Sequence, residues 1–344
     1  LAFPHLEADL RSELEGLLKA AEGGDGAAEA EVQDRFSEPL AFGTGGLRGV
    51  MGAGLRRMNR PNVRRATRAL AAVALKRAPQ ARTALVGFDT RLQSDVFARE
   101  AARVLAEAGY TVYLGDRPLP TPFLCFAMRR LKTACAVIVT ASHNPKIYNG
   151  YKAYDNQGGQ VVAPWDAEVE AGMAAEPLVP VPPSPEADAR IQPIPAELEE
   201  AFLAMSQSFL ARPKAFLPTP VLYTPFHGTG IAFTPELFRR AGLPLEVCEA
   251  QAVPDGTFPT APRPNPEELA AFEVTIQDAE RKGISVILAS DPDADRLGVL
   301  VKREGRWLQM SGNDMAALTL DYLAREKGVK GTVVTTVVTS DFLA

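Results

Sequence analysis

Residues 133–154 read TACAVIVTASHNPKIYNGYKAY, and the fold follows from how this stretch changes character along its length. Its first part, Ala134 to Val139, is a continuous apolar run of the length expected for a buried strand. It then breaks into Thr140-Ala141-Ser142-His143-Asn144-Pro145. Proline has no N–H for a ladder and pushes the preceding residue towards extended or turn geometry, so a central strand stops before Pro145. A hydroxyl, an imidazole and an amide are thereby placed on a loop at the carboxyl end of a buried strand, where open α/β sheets bind their ligands. Lys152 follows, flanked by Gly150, Tyr151 and Tyr154.

Outward from this stretch, strands and helices alternate. Upstream, the pattern predicts helices over 62–77, 94–109 and 123–131 and strands over 83–88 and 111–114. Two polar helices, 5–22 and 27–36, precede them, separated by Gly23-Gly24-Asp25-Gly26. Downstream, residues 176–195 hold seven prolines and read as a linker. A second unit follows, with helices over 196–211, 234–241 and 267–282, strands near 245–249 and 284–289, and Ala215 to Tyr223 leading into Thr224-Pro225-Phe226-His227-Gly228-Thr229-Gly230. A hairpin over 299–302 and 306–309, a helix over 312–327 and a strand over 332–338 complete the chain. The alternation argues tandem α/β domains, each with a mixed, mostly parallel sheet between helices. Three strands end alike, in VIVTAS, VILAS and TVVTS, which suggests a weak internal repeat of one α/β unit.

Composition narrows the function. A chain of 344 residues is too long for one ordinary core, so two or three domains are expected. The net charge of −5, with no long basic run, argues against nucleic acid or an anionic membrane as partner. Without a transmembrane-length apolar segment, a signal peptide or a metal-like cysteine spacing, the expected setting is cytoplasmic. Cys125, Cys135 and Cys248 each sit in apolar context and read as buried structural thiols.

Three motifs carry chemistry. Phe42-Gly43-Thr44-Gly45-Gly46-Leu47-Arg48-Gly49 matches neither nucleotide-binding glycine pattern. Its alternatives are a flexible turn, or a loop in which Thr44, Gly45 and the Arg48 guanidinium hold a phosphate. Asp291-Pro292-Asp293-Ala294-Asp295 directly follows an apolar run. If Pro292 keeps the loop extended, alternate carboxylates point one way and form a hard-oxygen site suited to Mg²⁺. An EF-hand would need glycine and glutamate where Arg296 and Lys302 stand, and a solvated acidic turn leaves three carboxylates repelling one another. Ser142 lacks the GxSxG elbow of a hydrolase, and sequence neighbours such as His143 rarely aim their side chains at each other. A serine carrying a phosphoryl group fits better, because a phosphoserine dianion adds an oxygen ligand to the metal set. Lys152 is a candidate general acid/base, and His227, in HGTG, reads as a loop-shaping residue.

TASHNPKIYNGYKAY together with DPDADR resembles the α-D-phosphohexomutase superfamily. FGTGGLRG, RMNRPNVRRA and the helical leader are similar to its phosphoglucomutase/phosphopentomutase branch. The resemblance implies that Ser142 is a phosphoserine, that Asp291, Asp293 and Asp295 bind Mg²⁺ with its phosphate as further ligand, and that Arg296 supports the transferring phosphoryl group. It implies Arg48 and Lys152 as acid/base candidates, with His143 assisting. The reaction implied is glucose 1-phosphate to glucose 6-phosphate through glucose 1,6-bisphosphate, which also primes the serine. Phosphopentomutase or phosphomannomutase activity is the alternative within the superfamily; a metal-dependent sugar-phosphate phosphatase or a silent sugar-phosphate binder are alternatives of other classes. The family has four domains. The expected partition is a leader over 1–38, a serine-loop domain over 39–188, an aspartate-loop domain over 189–304, and the start of a third over 305–344. No match to the family's sugar-selecting or distal phosphate-clamping loop stands in these residues, so the chain reads as an N-terminal portion.

Overall fold

A computed structural model of the chain describes residues 3–43, 45–209, 219–336 and 339, which fall into two compact units divided between Pro195 and Ala196.

The first unit opens with helices α1 (Ala8–Glu22) and α2 (Gly26–Phe36), the second capped by the Asp25 carboxylate on the N–H groups of Ala27 and Ala28. There follow β1 (Gly46–Val50), α3 (Arg60–Arg77), β2 (Thr83–Phe88), α4 (Ser94–Glu107), β3 (Thr111–Leu114), α5 (Thr121–Leu131), β4 (Cys135–Val139), β5 (Tyr148–Tyr154), α6 (Trp165–Ala175) and β6 (Ile191–Pro193). The strands form one six-stranded sheet in the order β1-β5-β4-β2-β3-β6. In this order the four strands β4, β2, β3 and β6 run parallel to one another, while β5 is antiparallel to both β4 and β1.

Side-chain alternation sorts the two faces. Ala84, Val86 and Phe88 of β2 join the main core with α3, α4 and α6. Gly87 turns to the other face, where a Cβ would strike the Leu124 side chain, so α5 covers that side closely. Helices therefore flank both faces, the layering expected of an α/β sheet.

Three segments differ from the sequence expectation. The glycine-rich stretch 42–49 is not a loop throughout, since its second half is β1. Residues 148–154, unassigned from sequence because glycine and lysine depress strand propensity, pair on both edges as β5. The proline-rich linker also contributes structure: Pro185–Arg190 form a 3₁₀ helix, and β6 extends the sheet beside β3.

The second unit holds α7 (Glu197–Ser208), β7 (Val221–Thr224), α8 (Thr234–Ala241), β8 (Leu245–Val247), the single turn α9 (Glu249–Ala252), α10 (Glu273–Lys282), β9 (Val286–Ser290), β10 (Leu297–Arg303), β11 (Arg306–Met310) and α11 (Gly312–Glu326). Its sheet has the order β11-β10-β9-β7-β8, with β7, β8 and β9 parallel and the β9-β10-β11 meander antiparallel. The predicted helix from 267 begins later, at Glu273, after a 3₁₀ turn over Leu269–Phe272. No strand forms over 331–336, and residues 337 and 338 of the expected last strand lie outside the described residues. Among the described residues no helix is long and apolar enough to cross a membrane. Cys135 and Cys248 are buried as expected, but Cys125 is only partly so.

Candidate active site

Ser142 sits two residues beyond Thr140 at the carboxyl end of β4, buried and in the left-handed conformation with φ 50°. A non-glycine residue adopts this region only where its surroundings hold it there. Here the Ser142 N–H donates to the Thr140 hydroxyl at 2.8 Å, and its carbonyl accepts from Nη2 of Arg91 at 2.6 Å. The Ser142 hydroxyl oxygen lies 3.2 Å from Nδ1 of His143. The expectation that these neighbours do not face each other is therefore corrected. It assumed extended backbone, and the left-handed turn at Ser142 brings the two side chains to one side.

Sheet register sets the next pair. Lys152 of β5 lies opposite Gly46 of β1 and Ile138 of β4, and Arg48 lies opposite Gly150. Directly opposed residues in an antiparallel ladder share a face, as do residues two apart on one strand. Arg48 and Lys152 accordingly leave the same face, diagonal to each other, while Leu47, Tyr151 and Ala153 turn into the core behind them. Glycine is required at two points of this ladder. A Cβ on Gly46 would collide with the Tyr151 carbonyl, and one on Gly150 with the Thr140 carbonyl. Gly150 also accepts the Thr140 N–H at 3.1 Å, which ties the start of the serine loop to the strand that carries Lys152. Gly45 receives the Ala153 N–H at 2.9 Å and packs against Gln160, whereas Thr44 lies outside the described residues.

In the second unit, Asp291, Asp293 and Asp295 follow β9, and one carboxylate oxygen from each lies within 4.8 Å of the others. The loop is a turn rather than extended: Ala294 has φ 55° and its N–H donates to the Asp291 carbonyl at 2.9 Å. Convergence therefore comes from chain reversal, not from strand-like alternation. Asp291 and Asp293 are buried and Asp295 is exposed, so the cluster opens to one side. Three oxygen donors of this hardness suit Mg²⁺. The Arg296 N–H donates to Asp291 Oδ1 at 3.0 Å, and its guanidinium lies 3.5 Å from the Glu267 carboxylate.

The HGTG loop braces this turn. Thr229 donates both its N–H, at 2.8 Å, and its hydroxyl, at 2.9 Å, to the Pro292 carbonyl. A Cβ on Gly228 would strike Pro292. His227 is buried, with Nδ1 3.0 Å from the Val253 carbonyl and Nε2 2.9 Å from the Thr260 hydroxyl. A carbonyl only accepts, so Nδ1 carries the proton. Both ring nitrogens are thus engaged in holding loops together, as the sequence suggested for this residue.

With this geometry in view, comparison with known proteins becomes specific. Residues 39–179 match the phosphoglucomutase/phosphomannomutase alpha/beta/alpha domain I, and residues 200–305 match alpha/beta/alpha domain II. The chain belongs to the phosphoglucomutase/phosphomannomutase family. A probable phosphomannomutase of Haemophilus influenzae is 38% identical over 266 residues, which are 76% of this chain and 54% of that protein. A phosphoglucomutase of Staphylococcus aureus is 35% identical over 299 residues, 85% of this chain and 53% of its own. The crystal structure of a putative phosphomannomutase from Thermus thermophilus superposes with a TM-score of 0.64 at 30% identity, covering 77% of this chain and 57% of that one. The chain spans about half the length of the curated relatives it matches.

Sequence reasoning passed over two supports of the candidate site. Asp89 and Arg91 directly follow β2, in Gly87-Phe88-Asp89-Thr90-Arg91, at the same carboxyl edge that drew attention to Ser142. Thr229 lies in a loop read only for its histidine. Applying the carboxyl-edge rule to every parallel strand would have found the first pair.

Proposed function

We propose that this chain carries the phosphoryl-transfer machinery of a phosphohexomutase that interconverts glucose 1-phosphate and glucose 6-phosphate. In this reading Ser142 gives its phosphoryl group to one sugar hydroxyl and recovers one from the other end of glucose 1,6-bisphosphate. The observation that carries it is the Ser142 hydroxyl, held in a left-handed turn at a strand's carboxyl end, 3.2 Å from a histidine nitrogen.

His143, with Nδ1 3.2 Å from the Ser142 hydroxyl, would take or return the serine proton. Arg48 and Lys152 share one sheet face and would act on the sugar oxygen, Lys152 by proton transfer and Arg48 by charge. Phosphoryl transfer consists mainly of positioning and charge stabilisation, so these few groups suffice. Asp291, Asp293 and Asp295 would hold Mg²⁺. When bound, that ion neutralises charge developing on the phosphoryl oxygens. Arg296 would support the same oxygens, and Thr44 and Gly45 would line the sugar-phosphate site. Mannose phosphates are the second candidate substrate, because a relative at 38% identity is named a probable phosphomannomutase.

Incubation with glucose 1,6-bisphosphate followed by intact-protein mass spectrometry tests the reading. The expected result is one added phosphate that Ser142→Ala abolishes. A phosphate that survives the substitution, or none on the parent chain, would overturn it.

A further inference from the structure

Arg91 is a fully buried guanidinium with an unusual set of acceptors. Nη2 donates to the carbonyls of Ser142, at 2.6 Å, and Asn144. Nη1 donates to the carbonyls of Pro145, at 3.0 Å, and Tyr148, at 3.1 Å. Nε lies 3.4 Å from Asp89 Oδ2, and both side chains are 0% exposed. One side chain thus reaches three carbonyls of the loop between β4 and β5 and the first carbonyl of β5.

Asp89 secures the same loop from its far end. Its Oδ1 accepts the Arg91 N–H at 2.9 Å and the Ser94 hydroxyl at 2.8 Å. Ser94 Oγ in turn accepts from Asn149 Nδ2 at 3.0 Å, and Asn149 Oδ1 accepts the Gly150 N–H at 2.7 Å. The chain of bonds runs from the Ser142 carbonyl to the strand that carries Lys152.

A buried arginine is expensive to desolvate, and a strained φ persists only where its surroundings over-determine it. The two facts explain each other if the guanidinium is what holds the turn. We propose that Arg91 is a positioning residue, keeping the 142–148 loop and the left-handed Ser142 in the geometry that phosphoryl transfer needs. This rests on the reading of Ser142 as the phosphoryl carrier. Lysine could keep the charge but not the planar fork that serves four carbonyls at once.

The test uses Arg91→Lys, with Arg91→Gln as a second variant in case the first does not fold. Hydrogen exchange read by mass spectrometry compares the peptide covering 141–149 with the rest of residues 3–195. In parallel, the rate of Ser142 phosphorylation is measured against glucose 1,6-bisphosphate concentration. Exchange in that peptide should rise about tenfold or more, the signature of local rather than global opening, with protection elsewhere unchanged. The maximal phosphorylation rate should fall on the order of 10²-fold, the cost of a misplaced reacting group, with the half-saturating concentration moving by less than about threefold. Parent-like exchange at 141–149 would overturn the proposal. So would a slowing accompanied by equal loss of protection throughout the unit, which marks a merely structural role. If the parent chain takes no phosphate, the phosphohexomutase reading fails by itself, and the exchange comparison still decides whether Arg91 holds the loop.

Discussion

Arg48 and Lys152 leave the same face of two antiparallel neighbours, with Arg48 opposite Gly150 and Lys152 opposite Gly46. Neither glycine contributes a side chain between them. The two cations therefore line a stretch of bare backbone, on the opposite side of the sheet from Tyr151 and Leu47 in the core. On the proposed function, Lys152→Met should lower kcat by roughly 10²-fold or more, the usual scale for loss of a general acid/base. A coupled dehydrogenase assay reads it, with thermal denaturation as a control for folding. Near-normal turnover in a folded variant would remove Lys152 from the mechanism. Because the pair shares one face, Arg48→Met should combine with it less than additively.

The serine and its neighbour give a second prediction. Ser142 Oγ is within hydrogen-bond reach of His143 Nδ1, so His143→Ala should slow Ser142 phosphorylation on the order of 10²-fold, as expected for loss of a proton acceptor. Time-resolved intact-mass measurement gives the rate. A rate unchanged by the substitution would leave His143 as a packing residue only.

Much of this was legible in the residues, and the exceptions have physical reasons. The apolar run before Ser142 became β4, buried along its whole length, and the one before Asp291 became β9, because an apolar run of strand length leaves a sequence signal. β1 and β5 left none: one starts inside a glycine cluster and the other holds Asn149, Gly150 and Lys152, so their pairing is decided by tertiary register. The candidate side chains were readable from residue type and position. Their orientation was not, since the left-handed turns at Ser142 and Ala294 redirect side chains that an extended backbone would have sent elsewhere. Arg91 escaped notice because a buried guanidinium that binds carbonyls has no composition signal.

Alkaline pH should destabilise the first unit. Burial pushes the Cys135 thiol from its ordinary 9.0 up to about 12, and Tyr110 from 10.0 to about 12. For each, the folded state resists losing its proton while the unfolded state gives it up. The Cys135 contribution is thus fully present below pH 9 and the Tyr110 contribution below pH 10, and each is lost as pH rises from there towards 12, by about 1.4 kcal/mol per pH unit per group. Urea denaturation from pH 8 to 11 should show the decline, and Cys135→Ala should flatten part of it. A parent curve that stays level to pH 11 would contradict the assignment.

The arginine-rich start of α3 pins the leader helices. Arg64 is nearly inaccessible and pairs with Glu100 of α4 and Glu7 before α1, while its Nη1 donates to the Pro180 carbonyl at 3.3 Å. Arg64→Ala leaves the buried Glu100 without its arginine, while Glu7 keeps Arg60 at 3.2 Å, and should cost about 3–5 kcal/mol, the usual penalty for breaking a buried ion pair from one side. Chemical denaturation measures it. A loss below about 1 kcal/mol would put the pair in the class of surface salt bridges.

The aspartate turn makes the last prediction, and it has two signs. Without a cation, three carboxylates whose oxygens approach within 4.8 Å repel one another, and two of them are buried. Removing one charge relieves that repulsion, so Asp293→Asn in metal-free buffer should match or exceed the parent in Tm. With Mg²⁺ the order reverses. The ion binds the folded parent and raises its Tm by mass action, while the variant offers one carboxylate fewer and should bind at least about tenfold more weakly, ~1.4 kcal/mol. Thermal denaturation with and without millimolar Mg²⁺, supported by calorimetric titration, separates the two effects. Asp291→Asn adds a further loss, because Asp291 Oδ1 also accepts the Arg296 N–H and so shapes the turn itself. A parent whose Tm does not respond to Mg²⁺, or a variant that responds equally, would mean that the three aspartates form a turn held by its own backbone bonds and by Thr229, with no role for a cation.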